Sequence, residues 1–255
     1  MKLLTGTQHL FYKNIRKSQI NPKRRRLTTM NIAMTQYTIC DINGETPTSN
    51  QIWLLIRARE IPTSVPGFLW KCEFWDKIPH CENRGKCGLC DSPESMEHIL
   101  LDCDNSSTSR IIWKAASDLW CKREPNWPEI RFGMILRCNL ATFSNTKGKT
   151  KVGATRLFKI LVTESAHLIW KIRCQWTIKY GGDKEKYHSD TEIINRWIHA
   201  INMRLKFDQL LTDSTRYGKK AIKIDTVLQT WSGLLKNEDS LPDNWIRQVC
   251  AKQTQ

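Results

Sequence analysis

Four side chains constrain this chain more than any other feature: Cys87, Cys90, His98 and Cys103, spaced as C-x2-C-x7-H-x4-C. Three thiolates and an imidazole at this spacing are the ligand set expected for one tetrahedral, structural Zn2+ ion. The two-residue gap between Cys87 and Cys90 lets both sulfurs point inward from one tight turn, where Gly88 is expected to relieve strain. Ser92 followed by Pro93 has the form of an N-cap and a first helical residue, so Glu94 to about Leu101 is expected to be a short helix presenting His98. Cys103 lies five residues beyond His98. On an α-helix, five steps of about 100° put it roughly 140° off the histidine face, so the helix must end or unwind before Cys103. Asp102, Asp104 and Asn105 suit such an ending. Protein fills all four ligand places, which leaves none for a reactive water, and the metal is expected to be structural rather than catalytic. It would crosslink a segment with too little apolar content to fold alone. His80 and Cys81 compete for a ligand place and rank second, because the set that begins at Cys87 is complete without them. Cys40, Cys72, Cys121, Cys138, Cys174 and Cys250 lack partnered spacing and are expected to be core thiols.

The chain around this segment has 255 residues, enough for a sizeable core in one or two domains without disulfides. An apolar fraction of 40% with 11 tryptophans excludes a wholly disordered chain. No apolar run approaches the 18 or so residues of a membrane span, so a soluble protein with no membrane partner is expected. Lys and Arg number 40 against 25 acids, and an excess of +15 favours a polyanionic partner, nucleic acid first. Eight of those cations and no acid fall between Met1 and Met30. No secretory apolar segment precedes them, so the cysteines are expected to be intracellular thiols or metal ligands. The run Lys23, Arg24, Arg25, Arg26 after Pro22 has the form of a nuclear-import or nucleic-acid arm, with a solvated tail as its plain alternative; it favours the nucleus over the cytoplasm.

The expected fold class is mainly α: a small zinc-stabilised helical module, then a helical bundle-like tail, with a basic flexible N-terminal arm. Residues 1–45 form the basic, partly disordered arm, with a possible short helix around Gln8 to Lys17. Residues 46–130 form the zinc-binding module, which opens with a helix of about 12 residues carrying Ile52, Trp53, Leu55 and Ile56. After the capping cluster Asp104 to Ser107, Ile111, Ala115 and Leu119 recur every four positions on a helix of about 11 residues. Residues 143–153 make a basic loop with Lys147, Lys149 and Lys151. Residues 150–245 form the helical C-terminal region: Thr155 to Tyr180, stopped by Gly181 and Gly182; a helix from near Ser189, boxed with Glu192, to about Leu211; and a last helix capped by Asp225 and ending near Leu235.

At this point the strings Phe68-Leu69-Trp70-Lys71, Phe74-Trp75 with Ile78-Pro79, the cysteine knuckle, and above all Pro93-Glu94-Ser95-Met96-Glu97-His98-Ile99-Leu100 with Cys103 resemble the reverse transcriptase zinc-binding domain. That domain lies toward the C-terminal end of polyproteins of non-LTR retrotransposons. The strings Glu164 to Lys171 and Asn195 to Asn202 look like the helical tail that accompanies it in fungal elements. The resemblance covers roughly residues 45 to 245. It implies that Cys87, Cys90, His98 and Cys103 are the zinc ligands and that the module assists nucleic-acid handling, beside a reverse transcriptase or ribonuclease H partner. Only Cys72-Glu73 separates Lys71 from Phe74, where the family carries a longer segment.

No catalytic constellation competes with this reading. The chain lacks the Tyr-x-Asp-Asp carboxylates of a polymerase and an evident ribonuclease H set, so it is not expected to be an enzyme or to take a small-molecule substrate. His167 sits inside an apolar helix beside Glu164 and Ser165, which cannot face it as a triad must, and is expected to be a helix-face or core histidine. The loop with Gly148 and Gly153 lacks phosphate-cradle spacing, so its lysines are phosphate-contacting or solvated charges. Trp113, Trp120, Trp170, Trp197 and Trp231 are expected in the core rather than stacked on bases. The expected function is a retrotransposon-derived zinc-binding accessory module contacting RNA or DNA without sequence readout, through Lys23, Arg24, Arg25, Arg26, Lys147, Lys149 and Lys151. A protein-interaction tail and a decayed fragment without activity are the alternatives.

Overall fold

A computed structural model describes residues 7–8, 12–15, 26–54, 85–242 and 245–246. Its principal α-helices are α1 (Arg26–Asn43), α2 (Ser49–Leu54), α3 (Ser107–Trp120), α4 (Phe132–Arg137), α5 (Val152–Cys174), α6 (Asp190–Leu210), α7 (Ser214–Tyr217) and α8 (Ile224–Trp231). Among the described residues there is no strand; Lys86 with Pro93 and Ser144 with Thr150 form isolated antiparallel bridges. The fold is mainly helical, as the sequence pattern implies.

Helix α5 is the axis. Its apolar and small residues run all round the helix, and 16 of its 23 residues are buried, so every side must be covered. α3, α6 and α8 pack along it, and α4 meets it from the side of α1. The α3 face that meets the core is Ile112, Ala116 and Trp120, one residue on from the expected stripe, whose members Ile111, Ala115 and Leu119 flank it half-buried. Trp120, Trp127, Phe143 and Phe158 form an aromatic cluster between α3 and α5 with ring centroids 5.0 to 5.9 Å apart. Close approach of α8 depends on Gly153, because a Cβ there would lie 1.8 Å from the Gln229 carbonyl oxygen. Trp120, Trp197 and Trp231 are buried, as expected of core tryptophans, while Trp113 and Trp170 are half-buried.

Several boundaries differ from expectation. Residues 26–43 are a helix built into the fold rather than part of an arm: α1 packs on α4 through Asn31, Ile32, Thr35, Thr38 and Ile39. Three of these five residues are polar, which hides the face from an apolar count; Thr35 and Thr38 satisfy their hydroxyls by donating to the carbonyls of Asn31 and Met34, each at 2.8 Å. The metal-site segment and the C-terminal helices share one hydrophobic core that includes Met96, Leu100, Ile112, Leu161, Ile193 and Trp231, so among the described residues the core runs on from one expected region into the other. Asp225 lies inside the first turn of α8 rather than capping it, since Lys223 occupies the cap. Ser189 does cap α6, accepting from Glu192 N at 3.3 Å, but the Glu192 carboxylate turns to His188 Nδ1 at 2.8 Å instead of closing the box. The expected helix after Pro47 is present as α2, and its continuation past Leu54 lies outside the described residues.

The start of α5 is locked to the end of α6 by charge. Arg156 donates to both Asp208 oxygens at 2.7 and 2.6 Å, and Trp231 Nε1 donates to Asp208 Oδ2 at 2.8 Å. Asp208 is fully buried, so loss of its carboxylate would strand the Arg156 charge. Asp208→Ala is expected to cost about 3–5 kcal/mol of stability in urea unfolding followed by circular dichroism.

Candidate metal centre

Cys87 and Cys90 lie in a hairpin-like knuckle. Cys87 N donates to Ser92 O at 2.8 Å, Asp91 N returns to Cys87 O at 2.8 Å, and Glu94 N donates to Gly85 O at 2.9 Å. Asp91, not Gly88, takes the left-handed conformation this turn needs (φ 60). Gly88 fits for a different reason: a Cβ there would lie 3.0 Å from the Trp176 ring, which covers the knuckle and would have to give way by a few tenths of an ångström. Because Pro93 is engaged in the bridge with Lys86, the helix starts later than expected. Ser95 is the cap in place of Ser92, its Oγ accepting from His98 N at 3.0 Å.

The angular conflict between His98 and Cys103 is resolved by a π turn. Residues His98–Asp102 adopt π geometry, and Cys103 N bonds to His98 O at 3.0 Å. A π turn links i to i+5, so the two residues that an α-helix would splay come to lie on one face. The helix widens and then ends at Asp102, with Cys103 as its extended C-cap, so it stops before Cys103 as expected.

The four ligand atoms lie within 4.8 Å of one another, and the cluster could hold a metal ion. Cys87 Sγ and Cys103 Sγ are 3.7 Å apart, close to the roughly 3.8 Å that a tetrahedral ion with bonds of about 2.3 Å sets between two sulfurs. Cys90 Sγ and His98 Nε2 are 3.3 Å apart, which makes Nε2 the ligating nitrogen. Cys87, His98 and Cys103 are buried and Cys90 is half-buried. Burial pushes the Cys87 thiol up to about 12, against the Leu89 N–H and the Arg173 charge, whereas hydrogen bonds from Ser92 hold Cys90 below its ordinary value. Metal uptake must displace the Cys87 proton, so affinity weakens as pH falls.

The layer outside the ligands comes mostly from the end of α5 and the segment that follows it, and was not legible as part of the site. Arg173 Nη2 lies 2.7 Å from Cys87 Sγ and 3.7 Å from Cys103 Sγ, while Nε and Nη2 donate to Glu94 at 2.7 and 3.1 Å. Burial lowers the affinity of this guanidinium for its proton, but the Glu94 hydrogen bonds and charge, with the sulfurs of Cys87 and Cys103, raise it above the ordinary value overall. Trp176, in the second π turn at Gln175–Lys179, donates to Asp183 O at 2.7 Å. Tyr187 meets the Trp176 ring edge-on and ties its hydroxyl to Ser106 and Thr108, both at 2.8 Å. The only signal of Arg173 in the sequence is an arginine in register with Ala166, Ile169 and Trp176 on a buried face.

The other expected site residues do not join this cluster where they are described. Lys23, Arg24 and Arg25 lie outside the described residues, as do His80, Cys81, Cys72 and Cys250. Arg26 is exposed at the start of α1. Lys147 and Lys149 are exposed in a turn closed by Asn145 Oδ1, which accepts from both backbone N–H groups. Lys151 is committed to Glu124 at 2.7 Å. Of the remaining cysteines, Cys138 is a core thiol, Cys40 and Cys174 are half-buried, and Cys121 is exposed at the end of α3 rather than in the core. His167 is half-buried on a groove of about 880 Å³ between α5 and α6, where burial and the Lys171 charge lower its proton affinity. Among the described residues no helix is long and apolar enough to cross a membrane. Neither a family model, nor a curated protein, nor a solved structure matches the chain.

Two predictions test the centre. Purified protein is expected to carry about one equivalent of metal by elemental analysis, lost in Cys90→Ser and in His98→Ala. Deletion of Leu101 converts the π turn to an α turn with His98 and the cysteine four apart, again on one face, and is expected to keep the metal. Insertion of an alanine after Leu101 moves the cysteine off that face and is expected to abolish binding.

Proposed function

We propose that the chain is a zinc-stabilised, non-catalytic accessory module of the reverse transcriptase zinc-binding type, which contacts nucleic acid through its phosphates. Zn2+ fits the donor set because three thiolates and an imidazole in tetrahedral spacing suit a d10 ion without redox demands. Cys87, Cys90, His98 and Cys103 would hold it, and its contribution is to crosslink the knuckle to the π turn. With every ligand place filled by protein, the centre offers no position for a substrate, and the fold rather than a reaction is what it serves.

The observation that carries the reading is the placement of this closed centre at one end of α5 and a cationic surface at the other. Arg156 is about 8 Å from Lys151 along the helix and binds Asp208 near the end of α6, so the loop before α5 and the loop after α6 leave the bundle at the same end. Those loops bear Lys147, Lys149, Arg216, Lys219, Lys220 and Lys223, all exposed and without a carboxylate partner among the described residues. Arg216 lies over the Tyr217 ring, 5.5 Å from its centroid. The one acid in these segments, Asp213, accepts from Thr215 N and Arg216 N. Exposed cationic groups without a carboxylate partner neutralise phosphates without reading bases. The reading makes the protein part of a larger nucleic-acid-processing assembly, with a polymerase or ribonuclease H as partner and the nucleus as its place of action.

A second reading, docking onto a partner protein, is favoured by the groove between α5 and α6. Its floor is Leu168, Ala200 and Met203, and Phe207 stands at its rim 55% exposed. Salt separates the two. Binding of the full chain to a fluorescent oligonucleotide is expected to weaken linearly on a log–log salt plot, and Lys147→Ala with Lys149→Ala to reduce the slope by about 2. Absence of salt-sensitive binding, with association to a polymerase partner lost in Phe207→Glu, would replace the first reading by the second.

A further inference from the structure

The guanidinium of Arg173 is shared between two kinds of acceptor. Glu94 takes Nε and Nη2 at 2.7 and 3.1 Å, and the same Nη2 faces Cys87 Sγ at 2.7 Å and Cys103 Sγ at 3.7 Å. The guanidinium also lies over the Trp176 ring, 5.4 Å from the centroid, and its side chain is only 6% exposed against 9% for Glu94. A divalent ion bound by three thiolates and a neutral imidazole leaves one negative charge in excess. At this depth that charge is poorly solvated and strongly unfavourable without a nearby cation.

We propose that Arg173 is the charge-compensating outer partner of the metal centre, and that Glu94 competes with the sulfurs for it. The proposal rests on the metal-binding reading above. N–H donation withdraws electron density from the Cys87 and Cys103 sulfurs, which makes them poorer nucleophiles and slows their attack on electrophiles and their protonation. The more of the guanidinium charge the sulfurs receive, the more inert the centre becomes. Arg173 is therefore a positioning residue that acts on the metal through the ligands, comparable to the outer partners whose loss weakens metal binding by about 10–100-fold.

The shared donor separates this role from simple packing. If the Arg173–Glu94 pair only clamps α5 to the knuckle, removal of either partner breaks the clamp and loosens the metal alike. If Arg173 compensates charge, Arg173→Met exposes the thiolates, whereas Glu94→Gln removes a competitor for the guanidinium and leaves the metal held at least as firmly. Arg173→Lys keeps the charge without the planar fork and falls between wild type and the methionine variant.

The test uses the full chain loaded with Zn2+, with helical content checked by circular dichroism, and follows zinc release to a chromogenic chelator in the presence of iodoacetamide. Arg173→Met is expected to release zinc about 10-fold faster than wild type or more, Arg173→Lys by a smaller factor, and Glu94→Gln no faster than wild type. Equal acceleration in Arg173→Met and Glu94→Gln, or no change in any variant, overturns the proposal while leaving the metal centre intact. A wild type that takes up no zinc overturns the metal reading itself and this role with it. Should Arg173→Met fail to fold, the remaining pair decides: the proposal stands if Arg173→Lys is faster than wild type and Glu94→Gln is not, and falls otherwise.

Discussion

A helix as apolar as α5 is insoluble unless covered on all sides, and that requirement organises the protein. Leu157, Phe158, Leu161, Val162, Ala166 and Ile172 have no exposed surface, and they point in directions that no single neighbour could cover. α3, α6 and α8 therefore surround the axis, and the π turn of the metal segment closes against the same helix. Where backbones must come nearest, side chains are absent: Gly153 accepts α8, and Gly133, whose Cβ would lie 2.4 Å from the Met34 carbonyl oxygen, accepts α1 on α4. The burial of one helix thus sets the positions of elements far apart in the sequence.

Two arginines interrupt that apolar surface, and each turns a packing contact into a specific one. Arg156 meets Asp208, and Arg173 meets Glu94 and two cysteine sulfurs. The two are about 26 Å apart along the helix axis. A buried charge tolerates only a narrow range of partners, so each arginine fixes the rotation and register of α5 at its own end in a way that leucine packing cannot. One end is closed by a carboxylate supplied by α6, the other by a site that is itself complete only when its sulfurs are held together.

The ligand set, the helical class and most helix cores were legible because they rest on short-range spacing: a fixed cysteine interval, or apolar residues at intervals of three and four. What was hidden depends on contacts between distant segments. The conflict of angle between His98 and Cys103, and the end of the helix before Cys103, were readable, but not the π turn that precedes that end, because one added residue per turn is a choice that the surrounding core makes. Gly88 was read as a glycine for a turn, but Trp176, 88 residues later in the chain, is what crowds a side chain there. α1 was missed for the opposite reason: its buried Asn31, Thr35 and Thr38 look like surface until the two threonine hydroxyls are seen bonding back to the helix, one of them to the Asn31 carbonyl. Arg173 and Asp208 carry a weak mark, charge in register with buried apolar residues, which announces an unseen partner without saying which.

The position of Arg173 has a consequence for how the parts cooperate. The knuckle, the π turn and the last turn of α5 meet at the cysteine–histidine cluster and its outer layer, and Met96 and Leu100 join the same segment to the common core. A metal-binding segment that packed on nothing would gain its order from the ion alone. Here Arg173 reaches the cluster from a helix that the rest of the bundle holds through Arg156, and Trp176, met edge-on by Tyr187, covers Gly88 of the knuckle. An ion held by the cluster would therefore draw on the same contacts as helix packing and the two would reinforce one another by linkage: whatever stabilised the loaded cluster would stabilise the seating of α5, and a bundle already seated would present ligands that need little further ordering to close on the ion.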